Sequence, residues 1–322
     1  MKKLLKAAVA VSIALSCSPT YADKNDKDEI FSSSTFKAME LRNIGPAYMS
    51  GRIADIAIDQ NNPSTWYTAV GSGGVWKTTN AGTTWTPIFD DQPVYSIGDV
   101  TIAPSNSNII WVGTGENNGG RHISFGDGVY KSVDGGQTWK NMGLSKSEHV
   151  SDIIIHPTNP DIVWVSAQGP LWSGGGERGL YKTTDGGETW KQVLTPADKW
   201  TGVTSLLIDP RNPDKLYAAT WARQRSIGAY VGTNEGAGIH TSNDGGETWT
   251  ELKTGLPEGN MGKIGMAISP MNPDVIYATI ETDNRGGGFY RSADQGASWT
   301  KMSDEVGGGT GPHYYQEIFA DQ

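Results

Sequence analysis

Short apolar stretches that run into a turn recur along the chain and predict β-strands. Each is followed by a second short stretch rich in aromatic and β-branched residues, such as Trp66 to Val70. The near-continuous apolar character of the first stretch is typical of a strand buried on both faces. No long stretch has a helical period, so the pattern predicts an all-β fold. The apolar stretches are IADIAIDQNNP from Ile53, DVTIAPSNSN from Asp99, SDIIIHPTNP from Ser151, TSLLIDPRNP from Thr204 and IGMAISPMNP from Ile264.

An eight-residue turn that ends in tryptophan alternates with these strand pairs. Its copies are TTNAGTTW from Thr78, SVDGGQTW from Ser132, TTDGGETW from Thr183, SNDGGETW from Ser242 and SADQGASW from Ser292. A short acidic side chain can accept hydrogen bonds from its own turn, while glycine supplies a positive φ. An amide, as at Asn80 in the first copy, can make the same cap, whereas catalysis by that residue would not survive the change. We therefore interpret the third residue of each copy as a turn cap and the tryptophan as a space-filling residue. The caps are Asn80, Asp134, Asp185, Asp244 and Asp294, and the tryptophans are Trp85, Trp139, Trp190, Trp249 and Trp299.

Together the two motifs define a unit of four strands, here lettered A to D, with the proline turn between A and B and the eight-residue turn between C and D. The tryptophans recur roughly every fifty residues, which suits one four-stranded propeller blade per unit. The sequence predicts a β-propeller over residues 36–322, with five complete blades and the first strand of a sixth from Tyr314 to Phe319. Met39 to Asn43 resembles a strand D, and we expect it to lack its partner at a gap in the ring.

The N-terminus has the features of an export signal. Residues 1–22 combine early lysines with an apolar run from Ala7 to Leu15 and a small-residue site at Ala22, which predicts a signal peptide. Cleavage there predicts a periplasmic or extracellular protein whose mature chain has no cysteine. A lipobox ending at Cys17 is the alternative, and acylation there would anchor the chain to a membrane. Residues 23–35 are charged and serine-rich, which predicts a flexible linker.

Composition and charge narrow the function classes. A net charge of −9 leaves no basic stripe for phosphates, which argues against nucleic acid as a partner, and no apolar run is long enough for a membrane span. The histidines are scattered without ligand spacing, so we predict no metal site. The glycine-rich segment from Thr114 to Gly120 lacks the lysine of a phosphate-binding loop, and we predict no cofactor.

The repeated S-x-D-G-G-x-T-W turns and the D-P-x-N-P strands resemble the Asp-box, or BNR-repeat, propellers. Within that group the chain is similar to sortilin/Vps10-type propellers and to xyloglucanase-like glycoside hydrolases. The resemblance implies a seven-bladed ring, so that this chain would be an N-terminal fragment. It does not extend to sialidases, because the nearest early segment, Ser50 to Ile53, lacks the following proline of their motif.

The xyloglucanase resemblance also implies a catalytic aspartate after strand B of the first blade. Gly71 stands at that position, and the family's partner acid lies on a second propeller that this chain does not contain. Glycoside hydrolysis needs two carboxyl groups across the scissile bond. The sequence therefore leaves the enzymatic question open.

Ligand binding is expected on the face of the propeller that carries the B–C and D–A loops, called the loop face below. The B–C loops vary in length while the A–B and C–D turns are nearly uniform, and function concentrates on variable loops held by a rigid scaffold. Aromatic side chains there can stack on sugar rings or anchor peptides, and arginines can bind carboxylates. Packing of loop bases by Trp172 and Trp221 is the alternative. The candidate binding residues are Glu116, Asn117, Arg121, His122, Trp172, Arg178, Trp221, Arg223, Arg225 and Tyr230.

Two functions follow from these features. The first is a binding module for a peptide, a protein or a glycan on the loop face. The alternative is a carbohydrate-active hydrolase whose acids lie partly outside this chain. The carboxylates available for the alternative are Glu116, Asp127, Glu235, Glu281 and Asp283.

Overall fold

The computed structural model describes residues 52–283, 286–306 and 316–321. These residues form five four-stranded antiparallel sheets and one short hairpin, which confirms the predicted all-β propeller of four-stranded blades. The signal peptide, the linker and the strand expected at Met39 to Asn43 lie outside the described residues. In chain order the strands are β1 (Ile53–Ile58), β2 (Trp66–Val70), β3 (Gly74–Thr78), β4 (Thr86–Pro87), β5 (Ile97–Ala103), β6 (Asn106–Thr114), β7 (Val129–Ser132), β8 (Lys140–Asn141), β9 (Val150–Ile155), β10 (Val163–Ala167), β11 (Gly179–Thr183), β12 (Lys191–Leu194), β13 (Thr201–Asp209), β14 (Asn212–Ala222), β15 (Gln224–Arg225), β16 (Tyr230–Val231), β17 (Gly238–Ser242), β18 (Thr250–Leu252), β19 (Met261–Ile268), β20 (Ile276–Thr282), β21 (Gly288–Ser292) and β22 (Thr300–Ser303).

Each blade is a meander of four consecutive strands. Blades 1, 2 and 3 consist of β1–β4, β5–β8 and β9–β12, and blade 5 consists of β19–β22. Blade 4 consists of β13, β14, β17 and β18, with the hairpin of β15 and β16 inserted in its B–C loop. The innermost strands of successive blades contact each other, β1 with β5, β5 with β9, β9 with β13 and β13 with β19. The five predicted units are thus five blades in chain order.

Apolar side chains fill the space between neighbouring blades. Trp164 of blade 3 packs in one cluster with Leu206 and Leu216 of blade 4, and Tyr217 of blade 4 packs with Ile264 and Ile276 of blade 5. Burying such side chains supplies most of the folding free energy. The core of the protein therefore lies between the blades.

Blade 1 has one exposed face, whose counterpart in blade 3 is packed against blade 2. Ile56 is 51% exposed and Ile58 is also exposed, although their counterparts in blade 3, Ile153 and Ile155, are buried against blade 2. Trp85 is likewise more exposed than the other tryptophans that end the eight-residue turns. No described residue covers this face of blade 1.

The eight-residue turns have the geometry of caps. Asp185 accepts hydrogen bonds from the backbone N–H of Thr189 at 2.9 Å and from the hydroxyls of Thr183 and Thr189 at 2.7 and 2.6 Å. In the first copy, Asn80 accepts from the backbone N–H of Thr84 at 2.9 Å in the same way. Hydrogen bonds from Thr138 and Ser132 lower the pKa of Asp134 to about 2. The cap thus favours the ionised acid but also works with an amide.

The turns of blades 2 to 5 also join each of these blades to the preceding blade, a contact that the sequence does not reveal. Backbone carbonyl oxygens of the turns accept hydrogen bonds from side chains of the neighbouring B and C strands. The donor and acceptor pairs are Lys77 Nζ to Gly135, Lys131 Nζ to Gly186, Trp164 Nε1 to Gly245 and Tyr217 Oη to Gln295, at 2.8 to 3.1 Å. The turn therefore fixes the spacing of two blades as well as its own hairpin.

The strand expected from Tyr314 to Phe319 does not form within its described part. Residues 316–321 have no strand conformation. Gln316 has a positive φ, and its carbonyl oxygen accepts a hydrogen bond from the Thr279 hydroxyl at 3.4 Å. A strand needs a neighbour to complete its ladder, and no described strand pairs with this segment. The segment packs against the innermost strand of blade 5 without pairing to it.

We predict that Asp185→Ala lowers the melting temperature because the turn loses all three hydrogen bonds to the carboxylate. Asp185→Asn should lower it less, since Asn80 makes the same contacts in blade 1. Thermal unfolding followed by circular dichroism measures both changes. Equal melting temperatures for the two variants would contradict a capping role.

Candidate functional site

The centre of the loop face is closed by residues 115–120 of the blade 2 B–C loop, called the plug below. Every residue of the plug is buried. Four successive carbonyl oxygens of the plug each accept a hydrogen bond from a side chain of another blade. The pairs are His149 Nδ1 to Glu116 O, Lys263 Nζ to Asn117 O, Arg223 Nη1 to Asn118 O and Arg225 Nη2 to Gly119 O. Buried backbone carbonyls need such partners, so these side chains hold the plug in place.

The Glu116 carboxylate forms a buried ion pair. Its two oxygens accept from Nε and Nη2 of Arg52, both at 2.5 Å, and Oε1 also accepts from the Asn118 amide at 2.6 Å. The side chain of Glu116 is fully buried, whereas that of Arg52 is 27% exposed. The plug is therefore tied to the start of blade 1 by a bidentate pair, a geometry that arginine favours.

Glu116 also fills the space beside Gly71, where xyloglucanase-like propellers carry an acid. A Cβ atom added at Gly71 would lie 2.9 Å from Glu116 Cδ and 3.1 Å from its Oε2. A carboxylate thus lies next to the expected position, but it comes from the neighbouring blade. In this arrangement Glu116 is out of contact with solvent.

We predict that Gly71→Asp destabilises the protein by about 1 to 3 kcal/mol, because the new side chain collides with a pinned carboxylate of the same charge. The same change in a Glu116→Ala background should cost less, since the added aspartate can then pair with Arg52. Urea unfolding of the four proteins forms a double-mutant cycle. Additive free energies would show that positions 71 and 116 do not share this space.

The candidate arginines of the loop face donate hydrogen bonds to backbone carbonyl oxygens. This differs from the sequence-based expectation that they are available for a ligand carboxylate. Arg178 is buried and donates to several loop carbonyls, among them Gly175 O at 2.8 Å and Trp200 O at 2.9 Å. Burial lowers the pKa of Arg178 to about 10. Burial and the nearby charge of Arg178 lower the pKa of Arg223 to about 9. These guanidinium groups stabilise the loops by pairing their buried carbonyl oxygens.

Trp221 and Asn117 are likewise inside the protein. The Trp221 indole donates to Gly232 O at 2.8 Å, and Arg223 and Lys263 stack on its ring. Trp221 therefore packs the base of its loop, which was the alternative to ligand binding for this residue. Asn117 lies in a buried network with Gln168 and Lys263.

The candidate residues that remain at the surface are Arg121, His122, Trp172 and Tyr230. Trp172 is 49% exposed, while His122 and Tyr230 are half-buried. Arg121 is exposed and donates through Nη2 to Ile227 O at 3.3 Å, which links the B–C loops of blades 2 and 4. The Tyr230 ring packs against Arg225, whose Cζ atom lies 4.7 Å from the ring centroid.

Two exposed aromatic residues of this face were missed in the sequence. Phe125 is 68% exposed, and Tyr95 is exposed on the neighbouring D–A loop. The Tyr95 hydroxyl lies 3.3 Å from the hydroxyl of Ser124, the residue that precedes Phe125, so the two loops that carry these aromatic residues are in contact. Tyr95 was missed because the candidates were drawn from the B–C loops, whereas Tyr95 lies on a D–A loop. Together with Trp172 they form the aromatic set of the loop face.

The remaining carboxylates differ in accessibility. Glu235 and Asp283 are exposed, and Asp127 accepts a hydrogen bond from the Tyr130 hydroxyl at 2.8 Å. Burial raises the pKa of Glu281, although Lys263 opposes the shift. The described residues contain no cluster of three or more His, Cys, Asp or Glu side chains arranged to hold a metal ion. None of them forms a helix with the length and apolar character needed to cross a membrane.

Comparison with known proteins finds one matching family model and several more distant relatives. The family model Sortilin-Vps10, described as sortilin, neurotensin receptor 3, matches residues 127–241. A xyloglucanase from Hypocrea jecorina is 29% identical over 261 residues, which is 80% of this chain and 26% of the relative. A xyloglucanase from a Paenibacillus species is 25% identical over 188 residues, 57% of this chain and 17% of the relative. The chain thus spans less than a third of the length of either xyloglucanase.

Solved structures agree on the fold. The GH74 enzyme of Niastella koreensis has a TM-score of 0.58 at 20% identity and is matched over 77% of this chain and 38% of its own. An ancestral GH74 enzyme has a TM-score of 0.60 at 23% identity, over 82% of this chain and 32% of its own. The chain is an Asp-box β-propeller, similar to the sortilin/Vps10-type and xyloglucanase-like propellers.

Proposed function

We propose that this Asp-box β-propeller is a secreted or periplasmic module that binds a neutral glycan on its loop face. The observation that carries the proposal is the exposed aromatic set of Tyr95, Phe125 and Trp172. Flat apolar rings bordered by polar groups are the usual lining of small-ligand sites, and such rings can stack on sugars. The similarity to proteins named xyloglucanases supports a carbohydrate over a peptide.

The charges of the loop face favour a neutral ligand. Arg178, Arg223 and Arg225 are buried and already donate to backbone carbonyl oxygens. A ligand carboxylate would have to displace those carbonyls, each of which would then lose its partner. Hydroxyl-rich neutral sugars need no such exchange.

Isothermal titration with xyloglucan oligosaccharides tests the proposal. We expect Trp172→Ala or Phe125→Ala to raise Kd by about tenfold, equivalent to 1.4 kcal/mol, without changing the melting temperature. Met271→Ala is the matched control, because Met271 is equally apolar and exposed but lies in the A–B turn of blade 5. Polygalacturonate serves as the anionic comparison. Binding of polygalacturonate in preference to xyloglucan, or an equal loss in the control variant, would overturn the proposal.

Hydrolysis is the second candidate function, favoured by the Glu116 carboxylate beside Gly71. We expect no turnover by this chain, because Glu116 is fully buried and bound to Arg52. Release of reducing ends from xyloglucan measures it. Turnover that Glu116→Gln abolishes, with an unchanged circular dichroism spectrum, would favour the hydrolase.

A further inference from the structure

A cavity of about 410 Å³ lies among the innermost strands, away from the aromatic set. Its lining includes Asn117 of the plug as well as the exposed residues Pro270 and Phe319. The cavity therefore extends from the plug to the surface of the protein. Residues 316–320 form part of its wall and approach so closely that a Cβ atom at Gly265 would overlap Gln316 O.

Three aspartates line this cavity at the same position of successive innermost strands. Asp55 accepts a hydrogen bond from the backbone N–H of Val100 at 3.1 Å, and Asp152 accepts from that of Leu206 at 2.8 Å. Asp99 accepts from the backbone N–H of Ile153 in the same manner. Each aspartate therefore ties its blade to the next one.

The cavity is short of positive charge. Glu317 is a fourth carboxyl group in the lining, and among the described lining residues Lys263 is the one cation. The Lys263 ammonium donates to Asn117 O at 2.8 Å, and burial lowers its pKa to about 7. Burial raises the pKa of Asp152 to about 7. Burial also raises the pKa of Asp99, and the negative charges of Asp55 and Asp152 raise it further. Burial likewise raises the pKa of Asp55.

Two buried polar atoms of the lining lack a hydrogen-bond partner. These are Asp99 Oδ2, an acceptor, and Gln316 Nε2, a donor, on side chains that are 8% and 5% exposed. Buried polar atoms are nearly always paired, and two orphaned atoms of opposite kind in one cavity point to a ligand. The described acids are not arranged as metal ligands, which favours an organic cation.

We propose that the cavity binds a small amino alcohol, whose ammonium group donates to Asp99 and whose hydroxyl oxygen accepts from Gln316. The ammonium supplies a positive charge and a donor for the unpartnered Asp99 Oδ2. The hydroxyl supplies the acceptor that the Gln316 amide lacks. Ser205, at the matching position of blade 4, is small and lines the cavity, which leaves room for the ligand, whereas Gln316 fills the space beside Gly265 in blade 5.

Titration calorimetry with 4-amino-1-butanol, compared with its neutral isostere 1,4-butanediol at constant ionic strength, tests the site. We expect binding of the amino alcohol only, and a rise in its Kd of at least about tenfold in Asp99→Asn. Asp283→Asn is the matched control, because it removes the same charge from an exposed loop residue. Equal binding of the two compounds, or an unchanged Kd in Asp99→Asn, would overturn the proposal.

A second variant covers the case in which Asp99→Asn fails to fold. Ser205 lines the cavity at the position that Asp55, Asp99 and Asp152 occupy in blades 1 to 3. Ser205→Asp adds a fourth aspartate to this column and should lower the Kd for 4-amino-1-butanol several-fold. An unchanged or higher Kd in a folded Ser205→Asp protein counts against the site.

Discussion

Replacing Arg52 by methionine is expected to lower the free energy of unfolding by about 3 to 5 kcal/mol, because it leaves the charge of a fully buried carboxylate without its main partner. Glu116 would keep the Asn118 amide as a donor, but lose two charge-assisted hydrogen bonds at 2.5 Å. The opposite change, Glu116→Gln, should cost less. Arg52 is partly exposed, so water can solvate its charge once the carboxylate is gone.

Urea unfolding of both variants measures this asymmetry. Arg52→Lys is the matched control for charge, and it should recover only part of the stability because an ammonium cannot make the bidentate contact. Hydrogen exchange should also show faster exchange for the amides of the plug in Arg52→Met. If Glu116→Gln proved more destabilising than Arg52→Met, the buried charge would not be the source of the effect.

Trp164→Ala is expected to cost about 3 to 5 kcal/mol, the range for truncating a fully buried aromatic residue. Its ring packs in the cluster between blades 3 and 4 with Leu206 and Leu216. Its Nε1 also donates to Gly245 O at 3.0 Å, in the eight-residue turn of blade 4. The variant should therefore lose a packing contact and an inter-blade hydrogen bond together.

Trp164→Phe separates the two contributions, since it keeps most of the ring volume and loses the donor. We expect this variant to cost about 1 kcal/mol, the net value of one hydrogen bond, plus a smaller packing loss. Guanidinium unfolding gives both free energies. Equal losses for the two variants would show that the interface depends on the hydrogen bond and not on packing.

Much of the fold is predictable because it is encoded locally. The alternation of apolar strands with turns such as Thr183 to Trp190 specifies four strands per unit, and five such blades form. The cap around Asp185 involves residues no more than four positions away. The segment at residues 316–321 was mistaken for a strand because a strand-like pattern alone cannot supply the neighbour that completes a ladder.

The candidate site was less predictable because its polar side chains can choose among distant partners. Arg223 reads as a free cation in the sequence, yet it donates to Asn118 O, 105 residues earlier. Phe125 and Trp172 come from different blades and gain meaning only as parts of one exposed face. The acids at Asp55, Asp99 and Asp152 stand at one visible position of the repeat, but nothing in the repeat shows that they line a cavity.

The sequence by itself determined the all-β class, the blade unit and the turn that closes each hairpin, because these depend on strand periodicity and on hydrogen bonds between near neighbours. Only the tertiary structure decided that Glu116 is buried against Arg52 beside Gly71, and that the aspartates of three blades share one cavity. These contacts join residues brought together by the arrangement of blades. Burial then makes every unpaired polar atom costly, so the distant partners of each charged side chain fix its role.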